Sequence, residues 1–557
     1  MKLSFMILIA VFLVACADRT VTINKEPGAD VLSASVIKAH MAFLADDLLE
    51  GREVGTRGEE ISGLYIASEF ESIGLDPGGN DGSYFQNVPL IAATVDMDRT
   101  VLEVELEGRR LSFENGVDIA MFGSSEETVT EVSGELVFVG HGVSAPELGI
   151  DDYKGMEVAG KVVVVLGGEL SFLPSAEAAH LGTTAEKRKT AFSHGAIGMI
   201  AIRTPADEER FPFKQIRPFL ERPSLELQTP ETAASKDGQQ VPALLANLKT
   251  GDALFAGSSI ELDVIIAKGE TGPVPGMDLE ASVTLKRVTQ HKDDIQSANI
   301  AGLLTGSDPG LSKEYVVVTA HYDHIGICRP EGVADRICNG ALDNALGVAA
   351  MLDVARRLSQ ASTRPARSVL FLAVGAEEEG LLGSSYFAEY PTVPADAIIA
   401  NINMDGGFPF YQFSDVIAFG AEHSELGDIL ADAIAPLGLT VAPDPFPEEN
   451  IFTRSDQYSF VKKGVPALFL YNGFTDVNGE NAGLPIWNGS LGENYHAPTD
   501  DLSLPIDYDV AAKYADVFHR LVFAVAKVPT RPLWYEDSLF GQRFAPDAPK
   551  ASRPDLQ

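Results

Sequence analysis

The sequence predicts an α/β fold: a mostly parallel central sheet flanked by helices, interrupted by an inserted β-rich domain. Three observations carry this prediction. From Ser297 onward, short apolar runs alternate with helix-length amphipathic stretches, the pattern of a mostly parallel sheet. Runs such as Tyr315–Val318 are β-branched or aromatic and too short for helices. Between Met97 and Thr289 the texture changes to short strands such as Val101–Leu106, Gly134–Gly140 and Lys161–Gly168.

Taken in order, the chain opens on Lys2 and an almost wholly apolar stretch, Leu3 to Val14, too short to span a bilayer, which needs ~20 residues. It closes in Leu13-Val14-Ala15-Cys16, which resembles the lipobox of bacterial lipoproteins. That resemblance implies a signal over 1–16, lipidation at Cys16 and a lipid anchor at the cell envelope. Because Ala17 rather than Asp follows the Cys, the expected place is the periplasm-facing outer membrane. An ordinary cleaved signal with a chance Cys is the alternative, and both readings put the protein outside the cytoplasm. Residues 17–30 read as a polar tether.

Residues 31–96 read as the first segment of the α/β domain. Ser33 is a candidate cap for a helix over Val36, Ile37, Met41, Phe43, Leu44 and Leu48, and a second helix runs through Ile61, Leu64, Tyr65 and Phe70 to a stop at Gly74. The β-rich insertion occupies 97–289, with one helix around Thr184–Ser193; His141 and His194 within it read as structural or surface histidines. The second α/β segment is 290–530. Its strands are expected at Ala298–Leu304, Tyr315–Ala320, Ser368–Val374, Ala397–Met404 and Ala467–Tyr471. Its helices are expected at Asn344–Ser359, Glu378–Glu389, Ser424–Leu437, Ser455–Lys462 and Val510–Lys527. Residues 531–557 form a Pro-rich, charged tail.

Composition bounds the function. A chain of 557 residues, 45% hydrophobic, is long enough for more than one core. A formal net charge of −38 argues against nucleic-acid or anionic-membrane binding through a basic patch, leaving membrane contact to the N-terminal lipid. Beyond Cys16 only Cys328 and Cys338 remain. They flank a short loop, and in an oxidising compartment a disulfide across it is plausible.

The chemistry lies where strands hand over to loops. His321 follows Tyr315–Ala320, Asp343 precedes a helix, Glu377-Glu378-Glu379 follow Ser368–Val374, Asp405 follows Ala397–Met404, and Tyr495-His496 sit in a late polar loop. In a parallel sheet those strand ends share one edge. Imidazoles and carboxylates converging there suit a two-metal site with a shared carboxylate. Each motif has a plainer reading: Asp343 suits a helix cap, three glutamates suit a helix start, and His496 alone would be a surface residue.

Together, Ala320-His321-Tyr322-Asp323-His324, Gly340–Gly347, Glu377–Ser384, Asn403-Met404-Asp405 and Tyr495-His496 resemble the di-zinc aminopeptidase family of the bacterial secreted leucyl aminopeptidases. Glutamate carboxypeptidase and the transferrin receptor are relatives. Phe43–Arg52 resembles the family's opening helix, and Val139–Gly142 with Gly160–Val165 resembles a protease-associated domain. The resemblance implies a zinc-peptidase fold, peptide substrates and two zinc ions, with cobalt or manganese as possible substitutes. It implies that Asp343 bridges both ions, that His321 and Asp405 complete one site, and that Glu378 and His496 complete the other. Glu377 would be the general base acting on a metal-bridged water, Asp323 would orient His321, and Tyr495 is a candidate for steadying the oxyanion. It also implies a cis Asp343–Asn344 bond. His324 receives no role. Ser455-Asp456-Gln457 departs from the family's Ser-Asp-His, so an altered substrate wall is expected there; the Cys-flanked loop is expected near the entrance. Competing functions on the same scaffold are a carboxypeptidase, a glutaminyl cyclase with one zinc, and a non-catalytic receptor-like protein.

Overall fold

The computed structural model describes residues 34–125, 127–168, 170–229 and 242–554. The expected signal over 1–16 with Cys16, the expected tether and the candidate Ser33 cap lie outside the described residues. Helix α1 (Ala34–Leu44) turns Ile37, Met41 and Leu44 inward at helical spacing. Burying each such side chain stabilises the fold by roughly 1.5–3 kcal/mol. Thr56 caps α2 (Arg57–Ile73) by accepting the Glu59 N–H, and Gly74, at φ 86°, ends it.

Strand β1 (Phe85–Val95) leads into the insertion. There β2 (Val101–Leu106) precedes β3 (Val129–Phe138), β4 (Val162–Leu166), α3 (Ser175–Gly182), α4 (Thr184–Ser193), β5 (Gly198–Ile202) and β6 (Ala243–Ala246). β3, β4, β5 and β6 pair in parallel, and β4 and β5 are buried along their whole length. The return strand is β7 (Met277–Leu304), 28 residues long. Its first half pairs antiparallel with β2 and β3, and its second half with β1, across a register shift between Lys292 and Ile295, and then with the later strand Ser368–Val374. The chain therefore crosses between the two sheets inside one strand, and residues 289 and 290 both lie within it.

The α/β domain continues with β8 (Tyr315–His321), α5 (Leu346–Gln360), β9 (Ser368–Val374), α6 (Leu382–Glu389), β10 (Ile398–Asn403), β11 (Asp415–Phe419), α7 (Gln457–Val461), β12 (Ala467–Asn472) and α8 (Tyr508–Lys527). Sheet order is β1-β7-β9-β8-β10-β12-β11. The central four strands, β9-β8-β10-β12, are parallel, and antiparallel strands flank them on both sides. α1, α5 and α8 pack one face. Phe387 of α6 and Phe460 of α7 cover the other, against Leu370, Leu372 and Val374. Burial on both faces is why β9 reads as an unbroken apolar run.

Two expectations change. The helix expected over Glu378–Glu389 begins only at Leu382. Ala376 and Leu381 take φ of 56° and 62°, and Glu377–Gly380 make a turn whose amides point elsewhere. The helix expected at Ser455–Lys462 shrinks to Gln457–Val461. β11 was not predicted, because its five residues gain strand geometry from remote partners, β12 on one side and Thr440–Ala442 on the other.

Candidate metal centre and active site

The carboxyl ends of β8, β9 and β10 open on one edge, where parallel sheets bind ligands. β8 ends in His321, β9 runs into Glu377 and Glu378, and β10 runs into Asp405. Asp343 reaches the same edge from the turn before α5, and His496 from the loop before α8. The six residues expected at the site thus meet in one place.

Asp343 is the centre. Its Oδ1 lies 3.2 Å from His321 Nε2, and its Oδ2 lies 3.4 Å from His496 Nε2. His321 Nε2 is also 3.1 Å from Asp405 Oδ1, and His496 Nε2 is 3.0 Å from Glu378 Oε2. The two oxygens of one carboxylate therefore belong to two different donor sets. Three overlapping groups bring donor atoms within 4.8 Å: His321 with Asp343 and Asp405, His321 with Glu377 and Glu378, and His324 with Asp343 and Glu378. Zinc–nitrogen and zinc–oxygen bonds of 2.0–2.2 Å at tetrahedral angles separate ligand atoms by about 3.3 Å. The separations at Asp343 suit that, and an imidazole–carboxylate set suits zinc.

Electrostatics agree with a site built for cations. Burial alone would lower the His496 pKa, but Asp343 and Glu378 raise it to about 10. Burial likewise opposes His321, and Asp405 and Glu377 hold it well above the ordinary range. Burial and the charge of Asp343 push Glu378 up, yet hydrogen bonds from His324 and His496 bring it to about 2. Burial pushes Glu377 well up; His321 opposes and Asp405, Asp456 and Glu378 reinforce. Protons thus sit on imidazole nitrogens that a metal would displace on binding.

The surroundings fix these groups. Asp500 accepts the Leu342 and Asp343 N–H groups on its two oxygens, at 2.9 and 3.1 Å. The Asp343–Asn344 bond is cis. The Asn344 side chain donates to the carbonyls of His321 and Met404 and accepts from the N–H groups of Gly347 and Gly406. A Cβ on Gly347 would stand 2.1 Å from Asn344 Oδ1, so the junction requires glycine. Ser455 Oγ donates to Asp405 Oδ2 at 2.5 Å. Buried Arg52 donates to the carbonyls of Leu44, Tyr322, Asn339 and Gly340.

Asp323 does a different job from the one the resemblance implies. Its Oδ1 is 3.9 Å from His321 Nδ1, too far for a hydrogen bond. The carboxylate instead accepts the N–H groups of Glu377 and Glu378, at 3.1 and 3.2 Å, and so shapes the turn that replaces the expected helix start. His321 Nδ1 faces the Asp323 carbonyl, at 3.2 Å. Gln457 is no part of a substrate wall: fully buried, it accepts from Asn403 and donates to the Phe452 carbonyl. Cys328 and Cys338 form a disulfide, but the loop between them is not among the residues lining the site cavity. His324, given no role, is buried against Glu378. Tyr495 lines the cavity and stacks on the His496 ring, centroids 3.9 Å apart. Beyond the donor groups the cavity is walled by Phe408, Ile451, Phe469, Tyr471 and Trp487.

Residues 299–522 match the model of peptidase family M28, and residues 132–254 match that of the PA domain. Aminopeptidase YwaD of Bacillus subtilis is 33% identical over 138 residues, 24% of this chain and 26% of that protein. A probable leucine aminopeptidase 2 of Aspergillus oryzae is 30% identical over 231 residues, 39% of this chain and 42% of that protein. The chain thus spans about a quarter to under half of the length of these curated relatives. Among solved structures, an aminopeptidase from Aneurinibacillus sp. strain AM-1 aligns over 89% of this chain and 95% of that one, at 19% identity and a TM-score of 0.48. The two matches fall on the two sheets described above: the second α/β segment is similar to peptidase family M28, and the inserted domain is similar to the PA domain.

Proposed function

We propose that this protein is a zinc-dependent aminopeptidase that removes N-terminal residues from peptides at a two-ion site. The observation that carries the reading is Asp343, whose two oxygens serve two separate donor sets. His321 and Asp405 would hold one ion with it, Glu378 and His496 the other. Bound zinc supplies Lewis acidity toward the scissile carbonyl and lowers the pKa of water. Glu377 stands beside these residues, and its raised proton affinity suits a general base that takes a proton and returns it to the leaving amine.

Three features favour an aminopeptidase over a carboxypeptidase. Besides the donors that would hold zinc, the cavity presents Glu377, Glu449 and Asp500, carboxyl groups able to meet a free ammonium. Its one Arg, Arg454, is engaged by Glu449 at 3.3 Å. The aromatic wall suits a bulky apolar N-terminal side chain. A panel of aminoacyl peptides with free and blocked N-termini, with and without chelator, tests this. Cleavage of free substrates only, lost on chelation and restored by zinc, is expected; cleavage of N-blocked peptides would contradict it. The export-like N-terminus and the Cys328–Cys338 disulfide support an extracytoplasmic, lipid-anchored location. Release of a Cys16→Ser variant from the membrane fraction checks the anchor; retention would refute it.

A further inference from the structure

We propose that His324 is a positioning residue for the second metal site: its Nδ1–H holds Oε1 of Glu378, leaving Oε2 as the oxygen turned toward the metal. The inference deepens the two-ion reading and rests on it for the metal.

His324 Nδ1 lies 2.7 Å from Glu378 Oε1, while Glu378 Oε2 lies 3.0 Å from His496 Nε2. The two contacts differ in kind. Two ligands of one tetrahedral zinc stand about 3.3 Å apart, whereas 2.7 Å is the length of a charge-assisted hydrogen bond. Although His324, Asp343 and Glu378 fall within one donor group, the short contact marks His324 as a donor to Glu378 rather than a ligand beside it.

The tautomer follows from burial. Nε2 of His324 is buried without a hydrogen-bond partner. A proton there would be an unsatisfied N–H and would turn the Nδ1 lone pair against a carboxylate. A single ring proton therefore belongs on Nδ1. The ring cannot swing away. A Cβ on Gly340 would stand 2.8 Å from its Cγ and Cδ2, so backbone presses on one face. The His496 ring meets it edge-on, centroids 5.6 Å apart, and the His324 N–H donates to the Arg52 carbonyl at 3.2 Å. The result is a carboxylate whose two oxygens have different duties, held by an imidazole that does not itself reach the ion. Outer partners of this kind typically change metal affinity 10–100-fold when lost.

The test compares wild type with His324→Ala, His324→Asn and His324→Gln. Zinc titration against a chromogenic chelator should show the first ion unchanged in His324→Ala and the second weakened about 10–100-fold. Asn places an amide N–H near the position of Nδ1 and should recover most of the loss; Gln places it near Nε2 and should not. Equal affinity for the second ion in His324→Ala, or rescue by Gln rather than Asn, would overturn the proposal. A second readout needs no metal. In crystals of metal-free His324→Ala protein the Glu378 carboxylate should leave the position it holds in metal-free wild type. An unmoved Glu378 would also overturn the proposal. A wild type that takes up no zinc would instead overturn the two-ion reading, while the metal-free structures still decide on His324.

Discussion

Replacing Arg52 by Met should loosen the whole site without touching a metal donor. The guanidinium lies 1% exposed and donates to four carbonyls. They belong to the end of α1 (Leu44), the residue after His321 (Tyr322) and the approach to Asp343 (Asn339 and Gly340). Each buried carbonyl left without its donor costs about 1–3 kcal/mol. Removal of the cation recovers part of this, because burial disfavours the charge enough to lower its pKa to about 10 even with Asp323 and Asp343 nearby. The balance should be a loss of about 3–5 kcal/mol, the range seen when a buried charge network is broken. Arg52→Lys should rescue little, since one ammonium cannot serve three chain segments in a planar fork. Urea unfolding of metal-free protein at constant m-value reads the effect. A loss under about 1 kcal/mol in Arg52→Met would refute the reasoning.

Other outcomes follow from the same geometry. Glu377→Gln should keep its zinc and lose turnover about 10²–10⁴-fold; unchanged turnover in a zinc-loaded variant would remove Glu377 from the proton path. Replacing Cys328 and Cys338 by Ser should lower stability by about 2–3 kcal/mol through the entropy of the short loop they close, read as a shift in urea midpoint; an unshifted midpoint would contradict this. His180 of the PA domain bonds Tyr458 and lies 3.0 Å from Arg543 across the junction with the α/β domain. Burial, with Arg543, lowers its pKa from 6.5 to about 3. The native state then binds fewer protons than the unfolded chain, so this contribution is whole above pH 6.5 and is lost as pH falls toward 3. The slope is at most about 1.4 kcal/mol per pH unit. A His180→Gln variant should lose that slope in unfolding measured from pH 7 to 4; identical slopes would rule it out.

What could be read from the sequence was whatever is local. β8 and β9 were legible to within a residue because strands buried on both faces are written as continuous β-branched and apolar runs. His321, Glu377, Glu378 and Asp405 were visible because each polar residue follows such a run abruptly. The supports were invisible because their partners are remote. Arg52 reaches Tyr322 across 270 positions, and Asp500 reaches Leu342 across 158. Nothing near Arg52 but a turn announces a buried cation. Asp323 was misread for a related reason. The resemblance implies that it orients His321, while its acceptors are filled by amides 54 and 55 positions away. Three glutamates suit a helix start, but Glu377 and Glu378 give their N–H groups to Asp323 while Ala376 and Leu381 take positive φ, so the helix begins only at Leu382.

The most direct test of the account is anomalous diffraction at the zinc edge from crystals of the zinc-loaded chain. It predicts two peaks about 3.5–4 Å apart, with one oxygen of Asp343 on each, His321 and Asp405 on the first, and Glu378 and His496 on the second. A single peak, or two peaks that do not share Asp343, would contradict it.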